Sequence, residues 1–252
     1  LDLDAQGRKP LLMVLDNLQD LNVTDVFYKG KLVDRNAPIR VKTCGRALKH
    51  TVHLDKVKAE QFVLPIGKKK THVIGINPSQ ITTEDLAVSL PPAANYVPTD
   101  GYSKVAAVER HHNTGKIGVA VAKGYGIRNG AVASSVSHDS HNIIVIGDND
   151  RDMALAVDEI IRTQGGYTVV ENGEVFETLP LPIMGLMSDA GFESVNETLG
   201  RMIKKAHEMG VPADIEPFIT LSFLALPVIP TLRITPRGLC LLTAKGPEIL
   251  QE

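Results

Sequence analysis

The stretch SSVSHDSHNIIVIGDND, residues 134–150, decides the fold class of this chain. Within it, NIIVIG is a continuous apolar run rich in β-branched residues, which is typical of a strand buried on both faces. Asp148 or Asn149 follows and can cap a helix through Arg162 that carries one apolar stripe and is closed by Gly165-Gly166. A buried strand that leads into an amphipathic helix predicts an α/β (α+β) domain, with helices packed on a mixed sheet.

Patterns on both sides of this stretch extend the same domain. SKVAAVER and AVASSVS each predict a strand, and YTVVENGEVFETL predicts a hairpin around Asn172-Gly173. A second amphipathic helix is expected to stop at Gly210, with Asp189 as its N-cap. Its inward-facing residues are predicted to be Phe192, Val195, Leu199, Met202, Ile203 and Ala206.

The N-terminal part of the chain has a different character. LLMVL, VTDVFY and KLVD predict short strands with a tight turn at Lys29-Gly30, too few to be stable alone in water. We therefore expect residues 1–36 to be strands of a larger β-domain. Residues 37–95 are predicted to connect, with a short helix at LDKVKAEQF and a strand at THVIGI, and residues 96–252 to form the α/β domain.

Composition excludes several classes of partner. The formal charge is -2 and Trp is absent, so neither a nucleic acid nor an anionic membrane is an expected partner. The apolar tract FITLSFLALPVIPTL is shorter than the roughly 20 residues of a spanning helix and contains two prolines. Two distant cysteines and the absence of a visible signal peptide predict a cytoplasmic protein.

The candidate site lies in the polar segment just before the buried strand. Loops at strand ends are where rigid α/β scaffolds display binding groups, and an acid beside a histidine can fix its tautomer. ERHHNTG, residues 109–115, ends another strand and can contribute neighbours. The alternative is that these groups only cap turns and satisfy the backbone. The candidates for a polar pocket are Ser137, His138, Asp139, His141 and Asn142, with Arg110 and His111.

A metal centre within this chain is not predicted. His138 and His141 are three residues apart, which on a strand places them on opposite faces. HxH, CxxC and GxSxG are absent, and KGYGIRNG is interpreted as a turn rather than a phosphate loop. His50, His53, His72 and His207 are expected to be surface or incidental residues. Metal binding by His111, His138 and His141 remains an open alternative.

Several sequence segments, taken in order, resemble a known family. VASSVSHDSHNIIVIG, DRDMALAVDEIIRTQGG, LPLPIMGLMSD and PFITLSFLALPVIPTLRITPRGL resemble the C-terminal domain of adenine deaminases, which belong to the amidohydrolase superfamily. YVPTDGYSKVAAVERHHNTGKIG is similar to the start of that domain. GRKPLLMVLDNLQDLNVTDVFYKGKLV is similar to the stretch that completes a composite β-sandwich beside the catalytic barrel.

The resemblance implies hydrolytic deamination of adenine to hypoxanthine and ammonia in adenine catabolism or purine salvage. In this family a preceding (β/α)-barrel holds a divalent metal, Mn or Fe, and that barrel is not in these residues. We therefore expect the C-terminal portion of a longer, oligomeric hydrolase acting on the C–N bond of a cyclic amidine. The isolated chain is expected to be inactive and to contribute a lid over the substrate pocket. The alternative is a stabilising or oligomerisation domain, with SHDSHN as a structural network.

Overall fold

An eight-stranded mixed sheet forms the centre of the larger of two units in the computed structural model. The structure describes residues 11–37, 44–99 and 101–250. The two units are Leu1–Thr43 and Cys44–Glu252. Residues 1–10 of the predicted N-terminal β-segment therefore lie outside the described residues. The α+β class predicted from the sequence is confirmed.

The smaller unit contains a three-stranded antiparallel sheet. Its strands are β1 (Leu11–Leu15), β2 (Val23–Tyr28) and β3 (Lys31–Leu32), in that order. Lys29 and Gly30 both have positive φ, 54° and 72°, as a two-residue hairpin turn with the twist of its strands requires. The predicted hairpin is confirmed. Most apolar side chains of β1 are exposed, which fits the expectation that this sheet is not stable alone.

The large sheet has the order β11-β10-β8-β9-β6-β7-β4-β5. Its neighbouring strands are antiparallel except for the parallel pair β4 and β7. The strands are β4 (Thr71–Ile76), β5 (Thr83–Val88), β6 (Tyr102–Val108), β7 (Ile117–Lys123), β8 (Gly130–Ser134), β9 (Ile143–Gly147), β10 (Gly166–Glu171) and β11 (Glu174–Pro180).

Both faces of this sheet are covered. On β9 the alternate residues Ile144 and Ile146 belong to one apolar cluster, and Ile143 and Val145 to the other. The second face carries α1 (Asp150–Thr163) and Phe62, and the first carries three further elements. These are α2 (Phe192–Glu208), α3 (Pro217–Leu224) and a small antiparallel sheet of β12 (Leu232–Thr235), β13 (Gly238–Thr243) and β14 (Gly246–Ile249). The continuous apolar run of β9 thus correctly predicted burial on both faces.

The ends of the helices test the sequence interpretation. The Asn149 side chain accepts a hydrogen bond from the Asp152 amide at 2.9 Å, so Asn149 caps α1 as predicted. Asp189 does not cap α2, because Gly191 occupies that position and Asp189 pairs with Lys49 instead. Phe192 is 67% exposed rather than inward, since it is the first residue of α2. Met202 and Ala206 are buried as expected.

The segment predicted to connect, residues 37–95, contributes β4 and β5 to the large sheet. THVIGI forms β4 as predicted, whereas LDKVKAEQF forms only a short 3₁₀ helix, Ala59–Phe62. Strand β4 pairs with β5, the next strand along the chain, and with β7, which follows only after β6. Local sequence patterns gave no signal of the pairing between β4 and β7. Among the described residues, no helix combines the length and the apolar character needed to cross a membrane.

Candidate functional site

The polar stretch SHDSHN is the connection between β8 and β9, and it lies at one end of the large sheet. Val108, the last residue of β6, pairs with Ile143, the first residue of β9. Because these strands are antiparallel, residues just after β6 meet residues just before β9 at the same edge. The two clusters predicted separately from the sequence, 109–115 and 137–142, are therefore brought together.

Arg110 lies beneath this edge and is 2% exposed. Its Nε donates to the His141 carbonyl, Nη1 to the Thr51 carbonyl at 2.9 Å, and Nη2 to the Met184 carbonyl at 3.0 Å. Burial lowers the pKa of Arg110 to about 10, so the guanidinium remains charged at neutral pH. A side chain this deeply buried organises the loops above it and does not itself form a contact surface.

Asn142 and Ser137 are also buried. The Asn142 side-chain oxygen accepts a hydrogen bond from the Arg110 amide at 3.3 Å. The Ser137 carbonyl accepts one from the His141 amide at 2.6 Å. The Ser137 hydroxyl has no hydrogen-bond partner within the described part of the chain. These two predicted pocket residues hold the loop from inside.

His138 and Asp139 form the exposed part of the loop. Their side chains are 45% and 78% exposed, and His138 Nδ1 lies 2.9 Å from Asp139 Oδ1. The imidazole of His138 stacks on Phe223, with ring centroids 5.3 Å apart. The His138 amide donates to the Ser222 carbonyl at 3.1 Å, which ties the loop to the last turn of α3. The carboxylate fixes the Nδ1–H tautomer when the ring is neutral, which leaves Nε2 as an acceptor.

His141 lies between the buried and the exposed parts of the edge. Its Nδ1 is buried and has no hydrogen-bond partner among the described residues. Burial lowers the pKa of His141, the positive charge of Arg110 lowers it further, and Asp139 opposes both effects. The imidazole is therefore neutral at physiological pH, with one donor and one acceptor nitrogen, of which Nδ1 is buried. His111, the last predicted candidate, places Nε2 2.8 Å from the Ser140 carbonyl.

Several residues of the site were not predicted. Ser222 and Phe223 lie in the apolar tract FITLSFLALPVIPTL, to which the sequence analysis assigned no site residue. Ser222 contributes its main-chain carbonyl, so its side chain gave no signal of the contact. Thr51, Met184 and Gly185 reach the site from loops distant in sequence, and nothing in the sequence links them to Arg110.

The described residues do not form a metal centre. Among them, no group of three His, Cys, Asp or Glu side chains is arranged to hold a metal ion. The ring centroids of His138 and His141 are 6.2 Å apart, and His111 turns its Nε2 to a main-chain carbonyl. Of the other histidines, His50 and His53 are exposed as expected, His72 pairs with Asp85, and His207 contacts the Val211 carbonyl.

Comparison of the sequence with known proteins places the chain in a family. The family model of the adenine deaminase C-terminal domain matches residues 80–245. The chain belongs to this family. An adenine deaminase of Desulfitobacterium hafniense is 48% identical over 236 residues, which cover 93% of this chain and 42% of that protein.

Two further relatives match the same share of the chain. Adenine deaminases of Nitratidesulfovibrio vulgaris, strain DP4, and Clostridium acetobutylicum are 44% and 39% identical. Each comparison covers 93% of this chain and 42% of the relative. The chain therefore spans about two fifths of the length of these relatives and carries their C-terminal domain.

Proposed function

We propose that this chain acts as the C-terminal part of an adenine deaminase. The reaction is the hydrolysis of the C–N bond at C6 of adenine, in which water replaces the amino group to give hypoxanthine and ammonia. The observation that carries the proposal is the match of 93% of the chain to proteins named adenine deaminase, at identities up to 48% among those compared. We place the enzyme in the cytoplasm as a homo-oligomer that serves adenine catabolism.

The role of this chain in the reaction is to close the substrate pocket with the exposed edge of SHDSHN. Adenine is a neutral heterocycle with ring nitrogens that accept hydrogen bonds and an amino group that donates them. A neutral His141, and a His138 whose tautomer is fixed by Asp139, offer both donors and acceptors without placing an unpaired cation against the purine. Covering the pocket also excludes bulk water from the reacting centre.

The metal implied by the family does not fit the described residues, because they contain no suitable group of three ligands. We therefore assign Mn or Fe binding to a barrel outside this sequence. The isolated chain is accordingly proposed to lack turnover. The exposed apolar side chains of β1 support the further proposal that this sheet completes a β-domain beside that barrel.

A second role is favoured by the buried half of the site. Arg110, Asn142 and Ser137 lie inside the unit, where their hydrogen bonds join loops of the same chain. In this view SHDSHN is a structural network, and the domain stabilises the barrel or the oligomer. The two roles make different predictions for the exposed side chains of His138 and Asp139. A pocket role requires these exposed groups for substrate binding, whereas a purely structural role does not.

The test is alanine substitution of His138 and of His141 in the full-length enzyme that contains this chain. For a pocket role we expect kcat/KM for adenine to fall at least about tenfold with little change in Tm. His112→Ala, at an exposed histidine of the neighbouring loop, is the matched control and should leave both quantities unchanged. Loss of Tm with full kcat/KM in the His138 and His141 variants would support the structural role instead.

A further inference from the structure

Three loops of the larger unit meet at the guanidinium of Arg110. One contains Thr51, the second is SHDSHN with the His141 carbonyl, and the third contains Met184. These are main-chain acceptors, so the planar fork of the guanidinium fixes backbone positions rather than side-chain rotamers. A displacement of Arg110 therefore moves all three loops relative to one another.

The third loop approaches Arg110 so closely that only glycine fits beside it. A Cβ on Gly185 would lie 2.9 Å from Nη2 and 3.0 Å from Cζ, and Gly185 has a φ of +72°. The Gly185 carbonyl accepts a hydrogen bond from the Ser135 hydroxyl at 2.6 Å, and the Met184 amide donates to the Leu48 carbonyl at 2.6 Å. The loop is thus held against the guanidinium from both sides.

The Met184 loop that binds Arg110 also carries exposed apolar side chains. Met184 and Met187 are 43% and 51% exposed, and the Met184 carbonyl shares the guanidinium with the His141 carbonyl. A purine presents flat apolar faces and a polar rim. An exposed methionine on one loop and a neutral imidazole on the other, each loop bound to Arg110 through a main-chain carbonyl, are groups that suit the two parts of such a ligand.

We propose that Arg110 is a positioning residue that holds the His138–His141 edge and the Met184 loop in the one relative arrangement that fits the purine. The proposal rests on the proposed function for its ligand. It also has a consequence that does not depend on the substrate. Because the charge of Arg110 faces His141, replacing Arg110 should change the pKa of His141. The other charged or titratable groups that act on His141 are His138, Asp139 and His111.

The variants Arg110→Lys and Arg110→Met separate charge from geometry. Lysine keeps the positive charge but lacks the planar guanidinium that binds several carbonyls at once, whereas methionine lacks both. In the full-length enzyme we expect both variants to lower kcat/KM for adenine by about 10- to 100-fold, because small displacements of binding groups have effects of this size. In the same enzyme, an NMR titration of the His141 ring should show its pKa rising toward the ordinary value in Arg110→Met and remaining closer to that of the wild type in Arg110→Lys.

Arg233 is a matched control within the same unit. It is also fully buried, and its guanidinium donates to the main-chain carbonyls of Ile229, Pro230 and Ile81, outside the three loops. Arg233→Lys and Arg233→Met should lower Tm as the Arg110 variants do, yet leave kcat/KM and the His141 titration unchanged. Gly185→Ala retains Arg110 but displaces its guanidinium. This variant should lower kcat/KM even if the Arg110 variants fail to fold.

The proposal is overturned if Arg110 or Gly185 variants lose Tm but keep the wild-type kcat/KM, or if the Arg233 variants lose kcat/KM equally. An unchanged His141 titration in Arg110→Met also contradicts it. If the wild-type full-length enzyme does not deaminate adenine, the proposed function fails, and the His141 titration still decides whether Arg110 controls this edge.

Discussion

Lys104 and Asp150 form an ion pair inside the larger unit, with Lys104 Nζ 2.6 Å from Asp150 Oδ1. Lys104 is 1% exposed, and its Nζ also donates to the Asn95 side chain and the Phe62 carbonyl. Asp150 is the first residue of α1, where its charge also interacts favourably with the helix dipole. One ammonium thus joins two loops to the start of α1.

Asp150→Asn should lower the free energy of unfolding by about 3 kcal/mol, because it leaves the buried charge of Lys104 without its counter-ion. Urea unfolding monitored by circular dichroism measures the change. Burial already lowers the pKa of Lys104, and removal of the carboxylate should lower it further. Glu208→Gln removes one partner of the exposed Lys204–Glu208 pair and should cost less than about 1 kcal/mol. Equal losses in the two variants would contradict this account.

Asn149→Ala should destabilise the protein by about 1 kcal/mol, because the Asn149 side chain caps the Asp152 amide at the start of α1. Asp189→Ala is the informative comparison, since the sequence predicted a cap there and the structure places Gly191 at that position. We expect the smaller loss from Asp189→Ala in the same unfolding experiment. The reverse ranking would restore Asp189 as the cap.

The parts of the fold that were predicted correctly are those specified by local chemistry. Asn149 follows a buried strand and precedes an amphipathic stripe, and Asn172-Gly173 lies between two alternating runs, so each signal is complete within a few residues. Helix α3 gave no such signal. It is apolar on all sides, which removes the 3.6-residue periodicity, and its only local marks are Glu216 as N-cap and Pro217 in the first turn.

The candidate site was predicted in part for the same reason. SHDSHN and Arg110 each follow or precede a recognisable strand, and antiparallel pairing brings strand ends together. The sequence could not show that Arg110 is buried or that Met184 and Thr51 bind it, because those contacts join residues 59 and 74 positions apart. Burial therefore divides the predicted pocket residues into an inner group and an exposed edge. This division cannot be predicted from the residue types alone.

Gly118→Ala and Gly200→Ala should change stability in opposite directions. A Cβ on Gly118 in β7 would lie 2.0 Å from the Thr235 carbonyl oxygen, so alanine must displace the small sheet and should cost at least about 1–3 kcal/mol. Gly200 lies within α2 with nothing within 4 Å of its added Cβ, and alanine should stabilise the helix by about 1 kcal/mol. Thermal unfolding of both variants measures the difference. A stabilising Gly118→Ala would contradict the close packing of β7 on β12 and β13.

His141→Gln should remove part of the loss of stability at acidic pH. Burial and the charge of Arg110 lower the pKa of His141 in the folded protein below its ordinary value of 6.5. Between the folded and unfolded pKa values the unfolded chain binds more protons, so stability falls as the pH drops from about 6.5 toward the lower value. Glutamine does not titrate. The difference in unfolding free energy between variant and wild type, measured in urea from pH 7.5 to 4.5, should therefore shift in favour of the variant on the acidic side. A pH-independent difference for His141→Gln would show that His141 has the same pKa in the folded and unfolded chain.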